Sequence, residues 1–293
     1  MGIAEFEEKE FEKPLYNQLE EGNCDVWSPG QCFEAYVGVD YGGNISSAEF
    51  WNRFGGRVPR GVVLNDFNMN YILEKIKKHK MFPDFSLNLF IQAKRPNVHS
   101  GQYRNSVYDT RHYSFEINQR QQRIMERLDH KLHHRALMVY AAPVFGTYAE
   151  LYHHSRNKTI IANTSFPRVR DLSGHESWYY CDAESGVAHS EPEEQEVIDF
   201  YELIEGLRKE HYCSSNKNYS ENLGGLSEEI KSVLKDFRDD CQVEYFFSEL
   251  KKQEQIYELN HYRFAMGDYR TGTAFITITL FCEVFNLDWF VIG

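Results

Sequence analysis

Residues 87–96 read LNLFIQAKRP, and this stretch decides both the fold and the chemistry that the chain can support. Successive side chains of a strand alternate between its two faces. One face here is purely apolar: Leu87, Leu89, Ile91 and Ala93. The other face carries the polar groups: Asn88, Gln92 and Lys94, with Phe90 among them. Burying an ammonium group is costly unless it is paired, so we expect a strand that ends in a cleft holding acidic groups or an anion.

The composition is that of a globular protein. The chain has 293 residues, of which 42% are hydrophobic and 15% aromatic, so it can bury a substantial core. No apolar run reaches the roughly 18 residues that span a bilayer, and the acidic start lacks the pattern of a signal peptide. We therefore expect a cytoplasmic protein with no membrane partner. The six cysteines form no CxxC pair, which favours reduced, buried thiols.

The charge is unevenly distributed along the chain. A net charge of −12 weighs against a protein that coats nucleic acid without specificity, because phosphate binding depends on positive charge. Positive residues are nevertheless concentrated between positions 94 and 135: Lys94, Arg95, Arg104, Arg111, Arg120, Arg123, Arg127, Lys131 and Arg135. The pattern predicts that nucleic acid would meet only one face of the protein.

Local patterns predict several further elements. A helix is expected at roughly 115–132, a strand at 136–145, and a polar, mobile loop at 97–112. The run TAFITITLFCEVF, 273–285, is expected to form a final strand. In the acidic N-terminal stretch, the apolar side chains Phe6, Phe11, Leu15 and Leu19 predict either a docking stripe or part of a solvated arm.

Two carboxylates accompany the polar pair of the 87–96 strand. Glu34 lies on a short helix that begins near Ser28, and Asp40 ends the alternating stretch YVGVD. Hard divalent cations such as Mg²⁺ bind one or two carboxylates together with water and substrate phosphate. Such a metal polarises a phosphodiester and lowers the pKa of a bound water, while Lys94 would orient that water or stabilise developing negative charge.

The order of these pieces resembles the PD-(D/E)XK phosphodiesterase superfamily, the restriction endonuclease-like nucleases. The variant is the one in which glutamine replaces the acidic residue before x-Lys. The matching segments are QCFEAY around Glu34, VGVDYG around Asp40 and FIQAKRP around Gln92 and Lys94. They look like the Mrr-like branch and are similar to nucleases of bacterial antiphage defence loci. The resemblance covers roughly residues 28–145.

The resemblance implies an α/β fold with a restriction endonuclease-like core, in which helices flank a central mixed sheet. Residues 1–27 would form an N-terminal arm and residues 28–145 the core. The long span from Asp40 to Gln92 requires an insertion at about 44–86 within that core. Residues 146–293 would form an α+β accessory region packed on it.

The resemblance also assigns roles to the residues. It implies a Mg²⁺- or Mn²⁺-dependent endonuclease that hydrolyses phosphodiester bonds in DNA. Asp40 and Gln92 would hold the metal, Glu34 would assist them, and Lys94 would act on the water. Asp84, in FPDF, is the alternative acidic ligand. Arg95 would contact phosphate or cap the strand.

Other interpretations of the same residues stay open. Taken singly, Asp40 fits an ordinary turn residue and Glu34 an exposed helix residue, while Gln92 and Lys94 fit the solvated face of an edge strand. The core would then be a catalytically inactive binding or regulatory module that docks on a partner protein. RNA is an alternative substrate, because metal chemistry alone does not select the sugar. An activating signal or partner is expected for a restrained nuclease, and a homo-oligomer is left open.

Overall fold

The computed structural model describes residues 2–21, 26–27, 87–101, 108–132, 135–189, 192–212, 219–264 and 269–292. Glu34, Asp40 and Asp84 lie outside these described ranges, as does the insertion predicted at 44–86.

The described ranges contain both strands and helices, and within them the four helices between residues 200 and 285 follow one another without an intervening strand. The strands are β1 (Gly2–Ile3), β2 (Val26–Trp27), β3 (Leu87–Ala93), β4 (Asn97–Ser100), β5 (Arg111–Glu116), β6 (Ala136–Pro143), β7 (Thr164–Ser165), β8 (Ser177–Tyr180), β9 (Ser185–His189), β10 (Glu193–Glu196) and β11 (Asp288–Ile292). The helices are α1 (Glu8–Glu21), α2 (Gln119–Leu132), α3 (Tyr148–Asn157), α4 (Phe200–Tyr212), α5 (Tyr219–Lys235), α6 (Cys241–Phe264) and α7 (Tyr269–Phe285). Two short 3₁₀ helices cover Ile161–Asn163 and Val169–Leu172.

A five-stranded mixed sheet forms the centre of the fold, in the order β2-β11-β3-β6-β7. Strands β3 and β6 run parallel, whereas β11 runs antiparallel between β2 and β3. The predicted α/β class with a mixed sheet is therefore confirmed. The restriction endonuclease-like core and the division at residues 27 and 145 stay predictions.

The alternation predicted for the 87–96 strand is confirmed by two separate core clusters. Leu89 and Ile91 join the apolar side chains of α1 on one face of the sheet. Phe90 joins Met138 and Trp289 on the other face. Every residue of β3 is buried, which is the pattern of a central strand covered on both faces.

Helix α1 belongs to the core. The side chains of Phe6, Phe11, Leu15 and Leu19 are at most 1% exposed, so the docking stripe is confirmed and the solvated arm is wrong. The Tyr16 hydroxyl also donates a hydrogen bond of 2.7 Å to Asp288 at the start of β11. The N-terminal helix is thus attached to the C-terminal strand of the same sheet.

A second sheet is six-stranded and antiparallel, in the order β1-β4-β5-β8-β9-β10. Its strands β4 and β5 overlap the stretch predicted as a polar loop, so that prediction is wrong for Asn97–Ser100 and for the start of β5. Two polar residues there, His99 and His112, are buried through cross-strand pairing, and their rings stack with centroids 4.7 Å apart. Because polar residues are typical of loops, the sequence did not indicate these two strands.

Two boundaries differ from the predictions for reasons visible in the structure. Helix α2 begins at Gln119 and not near residue 115, because the Asn118 side chain accepts hydrogen bonds from the N–H groups of Arg120 and Gln121. The run predicted as a final strand forms helix α7, and the last strand is β11.

Helix α7 accommodates its β-branched residues in a buried setting. The hydroxyl of Thr277 donates to the Thr273 carbonyl, and that of Thr279 to the Phe275 carbonyl, each at 2.9 Å. These bonds satisfy the hydroxyls within the helix itself. A buried apolar run cannot be assigned to helix or strand by periodicity alone, which is why the prediction failed. In the described part of the chain, no helix combines the length and apolarity needed to cross a membrane.

Candidate active site at the end of strand β3

Gln92 and Lys94 lie where the parallel strands β3 and β6 end. Gln92 is aligned with Tyr140 across these strands, and the backbone N–H of Lys94 donates 2.8 Å to the carbonyl of Ala141. In α/β sheets, ligands bind preferentially outside the carboxyl ends of the strands. Strand β3 therefore places both predicted residues at the carboxyl end of the parallel pair, where a ligand is expected to bind.

The side-chain oxygen of Gln92 is a buried acceptor. Gln92 is only 3% exposed, and no described group donates a hydrogen bond to its Oε1 atom. Leaving a buried polar group unsatisfied costs about 1–3 kcal/mol. An amide oxygen in this state is suited to a hard cation, which prefers oxygen ligands, or to a hydrogen-bond donor.

The Lys94 amine is half-buried beside an aromatic ring. Its Nζ atom lies 5.3 Å from the centroid of the Tyr140 ring. No carboxylate of the described residues forms an ion pair with it, although the charge of Glu8 acts on it from further away. Burial lowers the pKa of the Lys94 amine, and Glu8 partly offsets this effect.

A hydrogen-bonded chain fixes the Tyr140 ring. The Tyr140 hydroxyl donates 2.5 Å to Oε1 of Gln122, and Nε2 of Gln122 donates to Glu126 and to the Val169 carbonyl, at 2.7 and 2.8 Å. Burial, followed by the charge of Glu126, raises the pKa of Tyr140, so its hydroxyl remains protonated.

Neither Tyr140 nor Gln122 is among the site residues predicted from the sequence, and Gln122 is only 1% exposed. Tyr140 lies between the apolar segments LMV and AAP of β6, and a hydroxyl inside such a strand is the signal that could have identified it.

Arg95 is engaged inside the protein. Its Nε and Nη2 atoms donate to the Ala4 carbonyl at 3.1 and 2.6 Å, and its Nη1 atom donates 2.8 Å to Glu7. The guanidinium thereby attaches the N-terminal segment to the end of β3. The phosphate contact proposed for Arg95 stays a prediction.

The acidic half of the predicted metal site is not described. Glu34, Asp40 and the alternative Asp84 all lie in the undescribed span 28–86. Among the residues outside that span and the other gaps, no group of three or more His, Cys, Asp or Glu side chains is arranged to hold a metal ion. Gln92 is thus the predicted ligand that lies among the described residues, and its Oε1 atom, to which no described group donates, fits a metal ligand.

The basic stretch partly forms the outer surface of α2. Arg120, Arg123 and Arg127 are exposed at helical spacing along one side of this helix. Two of them face acids: Arg120 lies 3.9 Å from Asp240, and Arg127 lies 4.0 Å from Asp236. The positive charge is therefore partly balanced, and binding of nucleic acid at this face stays a prediction.

Comparisons of the chain with models of protein families, with curated proteins and with solved structures gave no match. The resemblance to the PD-(D/E)XK superfamily therefore depends on the quoted segments alone. Membership of that superfamily stays a prediction.

Proposed function

We propose that this protein is a metal-dependent nuclease that hydrolyses phosphodiester bonds in DNA. The observation that supports this most is the buried Oε1 atom of Gln92, which accepts no hydrogen bond from the described residues and lies two residues before Lys94 at the carboxyl end of a parallel strand. An edge strand with a solvated face would hydrate both groups. A central strand that buries an oxygen without a hydrogen-bond donor loses stability, and a bound ion or a catalytic role is one explanation for such a group.

The proposed chemistry divides between the metal and the chain. A Mg²⁺ or Mn²⁺ ion bound by Gln92, Asp40 and Glu34 would polarise the scissile phosphate and acidify a water. Lys94 orients that water and stabilises the negative charge that develops on the phosphate. The absence of a described ion-pair partner leaves its amine available for this role. Its lowered pKa also favours proton transfer nearer neutral pH.

A second candidate is a nuclease-like module that binds a partner without cutting. The net charge of −12 and the acid-paired arginines of α2 favour it, because both weaken attraction to phosphate. The two candidates differ in metal binding. A nuclease requires a divalent ion at Asp40 and Gln92, whereas a binding module does not.

The Gln92→Leu variant distinguishes the nuclease from the binding module. Leucine removes the unsatisfied oxygen, so we expect the metal-free protein to gain about 1 kcal/mol in free energy of unfolding. The same variant should lose heat of Mn²⁺ binding in calorimetry and metal-dependent cutting of plasmid DNA. Asn88→Leu is the matched control, since the Asn88 amide already bonds the carbonyl of Arg135 and the side chain of Asn222. That control should lose stability.

The substrate arm compares matched DNA and RNA oligonucleotides with Mg²⁺, with Mn²⁺ and with chelator. Metal-dependent cutting of DNA supports the proposal, and cutting of RNA alone would replace DNA by RNA as the substrate. Mn²⁺ binding unaffected in both Gln92→Leu and Asp40→Ala would refute the metal site. A role in antiphage defence follows from the resemblance alone and is tested by phage plating on cells that express wild-type or Lys94→Ala protein.

A further inference from the structure

We propose that Tyr140 is a positioning residue: its ring holds the Lys94 ammonium beside Gln92, and Gln122 fixes that ring. The inference rests on the proposed function in one respect, namely that Lys94 acts on the reacting water. The packing of lysine on tyrosine can be tested without any activity.

The first step concerns the partner of the lysine. A cation within about 6 Å of an aromatic centroid is attracted by the negative face of the ring. Lys94 Nζ lies 5.3 Å from the Tyr140 centroid, and no carboxylate in the described ranges pairs with it. Because lysine has a flexible four-carbon stem, a half-buried ammonium adopts one position only where something holds it. Here the ring of Tyr140 is the described group placed to do so.

The second step concerns the orientation of the ring. Glu126 Oε1 and the Val169 carbonyl can only accept hydrogen bonds, so the NH₂ group of Gln122 must face them. The Oε1 atom of Gln122 must then face Tyr140, whose hydroxyl donates to it. Tyr140 and Gln122 are each 1% exposed, so neither side chain can exchange these bonds for water. Helix α2 therefore fixes the hydroxyl end of the Tyr140 ring through Gln122.

The third step relates the ring to the amide. Tyr140 and Gln92 are aligned on adjacent parallel strands, so their side chains lie next to each other on the same face of the sheet. Tyr140, which holds the Lys94 amine, is thus also the neighbour of Gln92, whose Oε1 atom accepts no hydrogen bond from a described group. Without the Tyr140 ring, the Lys94 amine could move away from the Gln92 amide, which is the proposed metal ligand.

The packing is tested by NMR of protein labelled with ¹³C at the lysine ε-carbons. The ring current of Tyr140 should shift the Lys94 ε-methylene upfield of exposed lysines, and the Lys94→Arg variant assigns the signal. Tyr140→Leu should return the signal to the range of exposed lysines, whereas Tyr140→Phe should keep the shift. Gln122→Leu should reduce the shift by releasing the ring, and it serves as the second variant if Tyr140→Leu does not fold.

Two results would overturn the proposal. One is a wild-type Lys94 signal in the range of exposed lysines, and the other is an upfield shift that survives Tyr140→Leu. Tyr152→Leu is the control, because Tyr152 is an exposed tyrosine of α3. It should leave the Lys94 signal unchanged.

The activity arm separates positioning from folding. With DNA as substrate, Tyr140→Leu should lower kcat about tenfold more than Tyr140→Phe does, with KM within about twofold of wild type. Equal losses in both variants would refute positioning by the ring. If the wild-type chain cuts no DNA, the proposed function fails while the NMR result still decides the packing, so the two failures are distinguishable.

Discussion

Replacing Phe11 by alanine tests whether the N-terminal helix is part of the core. The Phe11 ring is fully buried, with ring centroids 6.4 Å from Phe6 and 6.2 Å from Phe145. If residues 1–21 formed a solvated arm, truncation of this side chain would not change the free energy of unfolding. A helix packed against β3 would lose both the buried apolar surface and the contacts around the resulting cavity.

The expected magnitude follows from the burial. Phe→Ala substitutions in cores cost about 3–5 kcal/mol, and we expect about 3 kcal/mol for Phe11→Ala, because α1 can shift to fill part of the cavity. A domain of this size has an unfolding entropy of roughly 0.6 kcal/mol/K, so the melting temperature should fall by about 5 °C.

The assay is urea unfolding followed by tryptophan fluorescence, with Lys13→Ala as the control. Lys13 is exposed on the same helix, so its replacement should change the free energy of unfolding by less than about 0.5 kcal/mol. A loss below about 1 kcal/mol in Phe11→Ala would refute the packing of α1 as part of the core.

Two further outcomes follow from the packing and ionisation of the second sheet. Gly186→Ala should cost about 1–3 kcal/mol in thermal unfolding, because the new Cβ would lie 2.2 Å from the buried Trp178 ring, while Gly206→Ala, with no heavy atom within 4 Å, should be neutral or slightly stabilising. Burial, followed by a neighbouring histidine in each case, lowers the pKa of His99 and His189 below the ordinary 6.5. The unfolded chain then binds more protons, so urea unfolding should show stability falling as pH decreases through 6.5, and a rise would contradict this.

The sequence predicted the two central strands, β3 and β6, because their residues satisfy local and global requirements at once, but it did not predict that they pair in parallel. In β3, strict alternation separates Leu89 and Ile91 from Phe90, and both faces are covered in the structure. Strand β6 was recognised from a short apolar run bounded by polar sequence. Short central strands of this kind can be predicted because their apolar composition indicates that they are buried.

Elements whose burial depends on distant partners could not be predicted. Helix α7 contains many β-branched residues, and it is helical because it packs against α5 and α6 and satisfies its threonine hydroxyls internally. Strand β4 contains His99, a residue typical of loops, whose burial requires pairing with β5. A single sequence carries little information about such partners.

The candidate site was predicted only in part for a related reason. Gln92 and Lys94 share one face of one strand, so their proximity follows from local geometry alone. Tyr140 and Gln122 join them through the parallel pairing of β3 with β6 and the packing of α2, neither of which a motif encodes. Glu34, Asp40 and Asp84 lie outside the described residues, and their place in the site stays a prediction.

The central claim is that Lys94 acts in metal-dependent cleavage of DNA. The most direct measurement is the single-turnover rate of DNA cutting with Mg²⁺ for wild type, Lys94→Ala and the control Lys158→Ala, whose lysine is exposed and pairs with Glu21. The account predicts a loss of at least about 100-fold for Lys94→Ala and a wild-type rate for Lys158→Ala. Equal cutting by all three proteins, or cutting that persists after chelation of the metal, would contradict it.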